Sequence, residues 1–132
     1  MDNLTRKQRS YTMSRIRSKG TAQERKVHSF LIRSKVLHKM HPKIEGSPDL
    51  IIPGTKTAVF LNGCFWHKCR KCFVRPESRP DYWDQKIDKN VERDKENAHA
   101  LRSSGWNVVV FWEHDIRENW DRIENRLWVI SR

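Results

Sequence analysis

The run Gly46-Ser47-Pro48-Asp49-Leu50-Ile51-Ile52-Pro53-Gly54-Thr55-Lys56-Thr57-Ala58-Val59-Phe60-Leu61-Asn62-Gly63-Cys64 decides the fold. Two short segments rich in β-branched and apolar residues, Asp49 to Ile52 and Thr57 to Leu61, are each entered through a turn-prone pair or triplet: Gly46-Ser47-Pro48 and Pro53-Gly54. Both read as strands. Asp49 stands at the head of the first, where a carboxylate can hold a hard cation such as magnesium next to a phosphate.

Upstream, Val36 to His41 is a third strand candidate. Before it, Thr21-Ala22-Gln23-Glu24 is a capping-box pattern that opens a helix, with Val27, Phe30, Leu31 and Ser34 on one face and Glu24 starting that face. Downstream, Arg79-Pro80-Asp81 opens a long helix. Its stripe of Trp83, Ile87, Val91, Asp94, Ala98 and Leu101 runs until Gly105 stops it. A carboxylate on that stripe needs a partner, because an unpaired buried charge costs several kcal/mol. Trp106 to Trp112 is a further strand, and Asn119 to about Trp128 a closing helix. The order is α-β-β-β-α-β with a terminal helix.

A chain of 132 residues accommodates one domain. Its 27 Lys and Arg against 16 Asp and Glu point to a polyanionic partner, nucleic acid before membrane. Residues 1–48 hold twelve of those cations and three of the acids, so the basic excess is N-terminal. Residues 1–20 read as a basic arm contacting DNA, and residues 21–132 as the folded domain. No apolar stretch is long enough to span a bilayer and the N-terminus lacks a signal-peptide core. The expectation is a soluble intracellular protein.

Cys64, Cys69 and Cys72 lie in one polar loop with Lys68, Arg70 and Lys71, which is not the setting of core cysteines. Three thiolates at this spacing call for tetrahedral zinc and a fourth ligand. His114, at the end of the last strand, is favoured; His67, Glu113 and Asp115 are the alternatives. Four protein ligands close the coordination sphere, so this metal would fix the loop, and catalysis would need another centre.

The element order resembles the core of the restriction-endonuclease-like fold, although the acid-x-lysine usual on the partner strand is missing. The run Phe60-Leu61-Asn62-Gly63-Cys64-Phe65-Trp66-His67 resembles the signature of the very short patch repair (Vsr) mismatch endonucleases. Thr21-Ala22-x-Glu24, Pro48-Asp49, Tyr82-Trp83, Lys89-Asn90-Val91-Glu92-Arg93-Asp94, Gly105-Trp106 and Trp112-Glu113 match as well.

The resemblance implies a single α/β domain of the restriction-endonuclease-like (PD-(D/E)XK) type, with a central mixed sheet flanked by helices and a zinc-stabilised loop. It implies a prokaryotic, cytoplasmic, monomeric enzyme that nicks double-stranded DNA 5′ to the mismatched thymine of a T:G pair, using catalytic magnesium and structural zinc. Asp49 would hold magnesium with the backbone carbonyl of Leu61. His67 would act as base or water-orienting group, with Glu24 and Asp94 as supporting polar residues. Asn62 stands where the family usually has a second histidine, and Cys69, Cys72 and His114 depart from its usual zinc pattern. Phe65, Trp66 and Trp83 match residues that intercalate beside the mismatch. The rival readings are another nuclease of the same fold and a non-catalytic zinc-stabilised DNA-binding module.

Overall fold

The computed structural model describes residues 21–132; the basic arm assigned to residues 1–20 lies outside them. Helix α1 (Ala22–Arg33) starts as its capping pattern requires, with Thr21 Oγ1 accepting from the Glu24 N–H at 3.2 Å. Val27 and Leu31 of its inward face are fully buried. Ser34 is the C-cap.

Strand β1 is confined to Lys39–Met40, much shorter than Val36 to His41. His38 Nδ1 sits 2.7 Å from the Val36 carbonyl and Leu37 is exposed, so this part of the chain follows side-chain bonding instead of a ladder. Strands β2 (Leu50–Ile52) and β3 (Thr57–Asn62) pair antiparallel, while β4 (Asn107–Trp112) lies parallel to β3, giving the mixed order β1-β2-β3-β4. A parallel neighbour needs a crossover, and helix α2 (Pro80–Ser103) supplies it. It ends in a Schellman arrangement, in which Trp106 N–H donates to Leu101 O and Gly105 takes φ +87.

The period-2 alternation of the strands divides the core. Leu50, Ile52, Val59 and Phe111 pack on one face with Val27 and Leu31 of α1. Also on that face are Ile116 of a short helix α3 (Glu113–Glu118) and Ile123 and Leu127 of α4 (Trp120–Ile130). Ile51 and Ala58 face the other way, against Leu101 of α2. The chain is thus a mixed α/β domain, a four-stranded sheet flanked by helices. Helix α3 was not expected; its first turn carries Glu113, His114 and Asp115, which the sequence alone reads as strand end and loop.

The turn before β2 is tied to the crossover helix. Gly46 is buried at φ +96, and a Cβ there would lie 2.6 Å from Leu101 Cγ and 3.0 Å from the Asn97 carbonyl oxygen. Only glycine meets both demands, the left-handed backbone and the close approach.

Candidate active site and metal centre

The paired strands end at one side of the sheet, and the residues just beyond them make the site. Register pairs Met40 with Leu50, and beyond it His41 N–H donates to the Asp49 carbonyl at 2.8 Å. Likewise Asn62 pairs with Trp112, so Cys64 and His114 each follow two residues past that last pair.

Asp49 lies in a cleft of about 610 Å³ whose lining includes Leu61, Asn62, Phe65, Trp66, His67 and Asp94. Its Oδ2 accepts from the Leu61 N–H at 2.6 Å. On a strand the N–H and C=O of one residue point to the same side, so the Leu61 carbonyl is directed toward the Asp49 side as well. Burial holds the Asp49 carboxyl up at about 6 instead of 3.8; the Glu24 charge adds to this, while the Leu61 N–H, His41 and His67 act the other way.

That shift has a consequence for stability. Between pH 3.8 and about 6 the native chain holds a proton that the unfolded chain has released. Its unfolding free energy should therefore fall as pH rises through this window, by up to roughly 3 kcal/mol, and this contribution should level off above it. Urea unfolding from pH 4.5 to 7.5 in magnesium-free buffer checks this: the difference between wild type and Asp49→Asn should slope through the window and be flat above it. A pH-independent difference would contradict a raised Asp49.

Asp94, the carboxylate on the stripe of α2, has its partner: Oδ2 stands 2.6 Å from His67 Nδ1. A carboxylate accepts only, so Nδ1 carries the hydrogen of this contact, which leaves Nε2 as the nitrogen that can exchange a proton. One helical turn earlier, the Asn90 side-chain amide donates to the Trp66 carbonyl at 3.3 Å, fixing the chain just before His67. Asn62 is buried at the end of β3.

Glu24, only 4% exposed, is met at 3.0 Å by His41 Nε2. Donor atoms of Glu24, His41 and Asp49 all lie within 4.8 Å of one another. Sequence reading missed His41. In the sequence only its place beside Pro42, eight residues before Asp49, sets it apart.

Phe65, Trp66 and Trp83 form one cluster, with ring centroids 5.2 to 5.7 Å apart. Phe65 and Trp66 line the cleft, while Trp83 packs against both rings outside its lining. Tyr82 and Phe73 extend the cluster, and Lys86 Nζ lies 5.5 Å from the Trp66 ring centroid. A cation over a half-buried aromatic face is also placed to meet a phosphate.

The four ligand atoms of Cys64, Cys69, Cys72 and His114 lie within 4.8 Å of one another. His114 Nδ1 is 3.3 Å from Cys64 Sγ and 3.5 Å from Cys69 Sγ. Tetrahedral zinc with ordinary bond lengths sets sulfur and nitrogen about 3.6 Å apart, so this donor set fits the ion. Burial pushes the Cys64 thiol up to about 12; a thiolate there requires a cation beside it. The other candidates for fourth ligand are engaged around the cluster or away from it. Glu113 Oε1 accepts from the Cys64 N–H at 3.1 Å, Asp115 Oδ1 lies 3.4 Å from His114 Nε2, and His67 is with Asp94. A carboxylate on the far nitrogen is the usual way a ligating histidine is oriented.

A mixed sheet flanked by helices, with an acid and an oriented histidine in one cleft and a cluster of three cysteines and a histidine at its side, has the build of a metal-assisted hydrolase. Comparison with known proteins narrows this to DNA endonucleases. Residues 1–73 match the family described as DNA mismatch endonuclease Vsr. The type II nicking enzyme V.XorIIP of Xanthomonas oryzae is 38% identical over 120 residues, covering 89% of this chain and 88% of that protein. The nicking enzyme V.NmeAIP of Neisseria meningitidis is 39% identical over 119 residues, with 88% and 84% covered. The DNA mismatch endonuclease Vsr of Escherichia coli is 33% identical over 112 residues, with 83% and 71% covered. The chain belongs to the Vsr family of DNA endonucleases. That family implies a restriction-endonuclease-like fold and a divalent metal. No helix among the described residues is long and apolar enough to cross a membrane.

Proposed function

We propose that the chain nicks one strand of double-stranded DNA 5′ to the mismatched thymine of a T:G pair, with magnesium at Asp49 and structural zinc on Cys64, Cys69, Cys72 and His114. The observation that carries this reading is the 2.6 Å His67–Asp94 bond in the same cleft as Asp49.

Asp49 and the Leu61 carbonyl would hold the cation, which supplies Lewis-acid stabilisation of phosphate charge and lowers the pKa of bound water. His67, its Nδ1 proton held by Asp94, presents Nε2 as acceptor for a proton from the attacking water. Glu24 and Asn62 act around this centre, Asn62 as a neutral hydrogen-bonding group that cannot carry a proton. Phe65 and Trp66, backed by Trp83, form a wedge that enters the stack, and a mismatched pair is the cheapest to unstack. Residues 1–20 bind the DNA backbone as a basic arm. The enzyme works as a monomer in the bacterial cytoplasm, at the nucleoid. The nicking-enzyme names of several relatives accord with cleavage of a single strand.

Incubation with end-labelled T:G and matched duplexes, with magnesium or with chelator, tests this. The expected result is a magnesium-dependent nick in the thymine strand of the mismatched duplex alone. Equal cleavage of both duplexes would remove mismatch specificity, and binding without cleavage would leave a DNA-binding module.

A further inference from the structure

His41 has no part in the proposed function, yet its backbone bonds to Asp49 and its side chain to Glu24. The β1–β2 register brings the two residues together one step beyond its last pair, Met40 with Leu50, where His41 N–H bonds to the Asp49 carbonyl. The backbone of His41 adopts φ +48, a left-handed conformation that costs a residue with a β-carbon ~1–2 kcal/mol and is kept where surroundings impose it. Its Nε2 stands 3.0 Å from the buried Glu24 Oε2, with Asp49 completing the group of three.

We propose that His41 is a further protein donor to the divalent cation held at Asp49, so that Glu24 and His41 join Asp49 and the Leu61 carbonyl in a mixed nitrogen and oxygen set instead of an all-oxygen one. The inference rests on Asp49 being the cation-binding carboxylate. Adjacent donors on an octahedral ion with bonds of ~2.1 Å stand about 3.0 Å apart, the separation that Glu24 Oε2 and His41 Nε2 already have. In the metal-free chain a proton occupies the space between those two atoms. A cation takes its place, and the neutral imidazole keeps its single N–H proton by carrying it on Nδ1. No covalent bond other than N–H is broken.

The choice of metal follows. Carboxylate and carbonyl oxygens suit magnesium and manganese alike, whereas an imidazole nitrogen is a better donor to a first-row transition ion than to magnesium. Manganese should therefore bind this centre more tightly than magnesium and support nicking at lower concentration, a preference that removal of His41 would shrink.

The test uses the full-length, zinc-loaded protein and manganese alone as the probe. Continuous-wave EPR counts free Mn²⁺, and pulsed EPR detects nitrogen bonded to it. One Mn²⁺ per chain is expected, with the nitrogen coupling of a directly bound imidazole. His41→Ala should abolish that coupling and weaken Mn²⁺ binding about tenfold or more. His41→Gln, which keeps an N–H donor for Glu24 and guards against a folding defect, should lose the imidazole signal as well. Bound Mn²⁺ without an imidazole nitrogen, or a signal that survives in both variants, overturns the role of His41 and leaves Asp49 in place. Failure of wild type to bind Mn²⁺, or equal binding by Asp49→Ala, overturns the Asp49 reading on which the inference stands.

Discussion

Replacement of Asp49 by alanine should lower nicking by about 10³-fold or more, because a metal-assisted hydrolysis without its anchoring carboxylate loses several kcal/mol of transition-state stabilisation. The same variant should keep its zinc and its fold. The substitution removes a carboxylate that burial already disfavours in its charged form. Against this stands one unsatisfied N–H on Leu61, worth about 1–3 kcal/mol. Single-turnover cleavage of a mismatched duplex, zinc content by atomic absorption and a thermal melt check the three parts together. Loss of zinc along with activity would show that the two centres are not separate.

The opposite profile is expected at the thiolate cluster. Cys64→Ala removes a proposed zinc ligand, whose Sγ is 3.3 Å from His114 Nδ1. The variant should lose zinc, melt at markedly lower temperature, and nick at least 10²-fold more slowly, since zinc binding free energy is also folding free energy for the segment it ties down. Activity suffers because Phe65, Trp66 and His67 directly follow Cys64 and are positioned by the loop the metal closes. His114→Cys should hold zinc, since a fourth thiolate also satisfies tetrahedral geometry. Full activity in a zinc-free Cys64→Ala chain would contradict the structural role given to the cluster.

Much of this was legible in the sequence because the patterns are local. The capping box at Thr21, the stripe of α2 with its Gly105 stop, and the alternation in β3 need no tertiary information. The demand that Asp94 find a partner was also readable, since a charge on an apolar stripe states its own problem. What could not be read is pairing between distant strands. Nothing near Cys64 says that β4 runs parallel to β3 with Asn62 opposite Trp112, the register that brings His114 to the cysteines. His41 is hidden for the same reason: its meaning depends on the antiparallel register of β1 with β2, and β1 has only two paired residues, too few to leave a pattern. Helix α3 is hidden because its six residues follow a strand without a break.

Gly46 gives the site its scale. The turn that delivers Asp49 touches α2 at Asn97 and Leu101, and the same helix carries Asp94 less than one turn before Asn97. Asp49 and the carboxylate bonded to His67 are therefore both referenced to α2, with the missing methyl of Gly46 as the clearance between turn and helix. The spacing of Asp49 from the His67–Asp94 pair is held like the jaws of a caliper, by a helix acting as its beam.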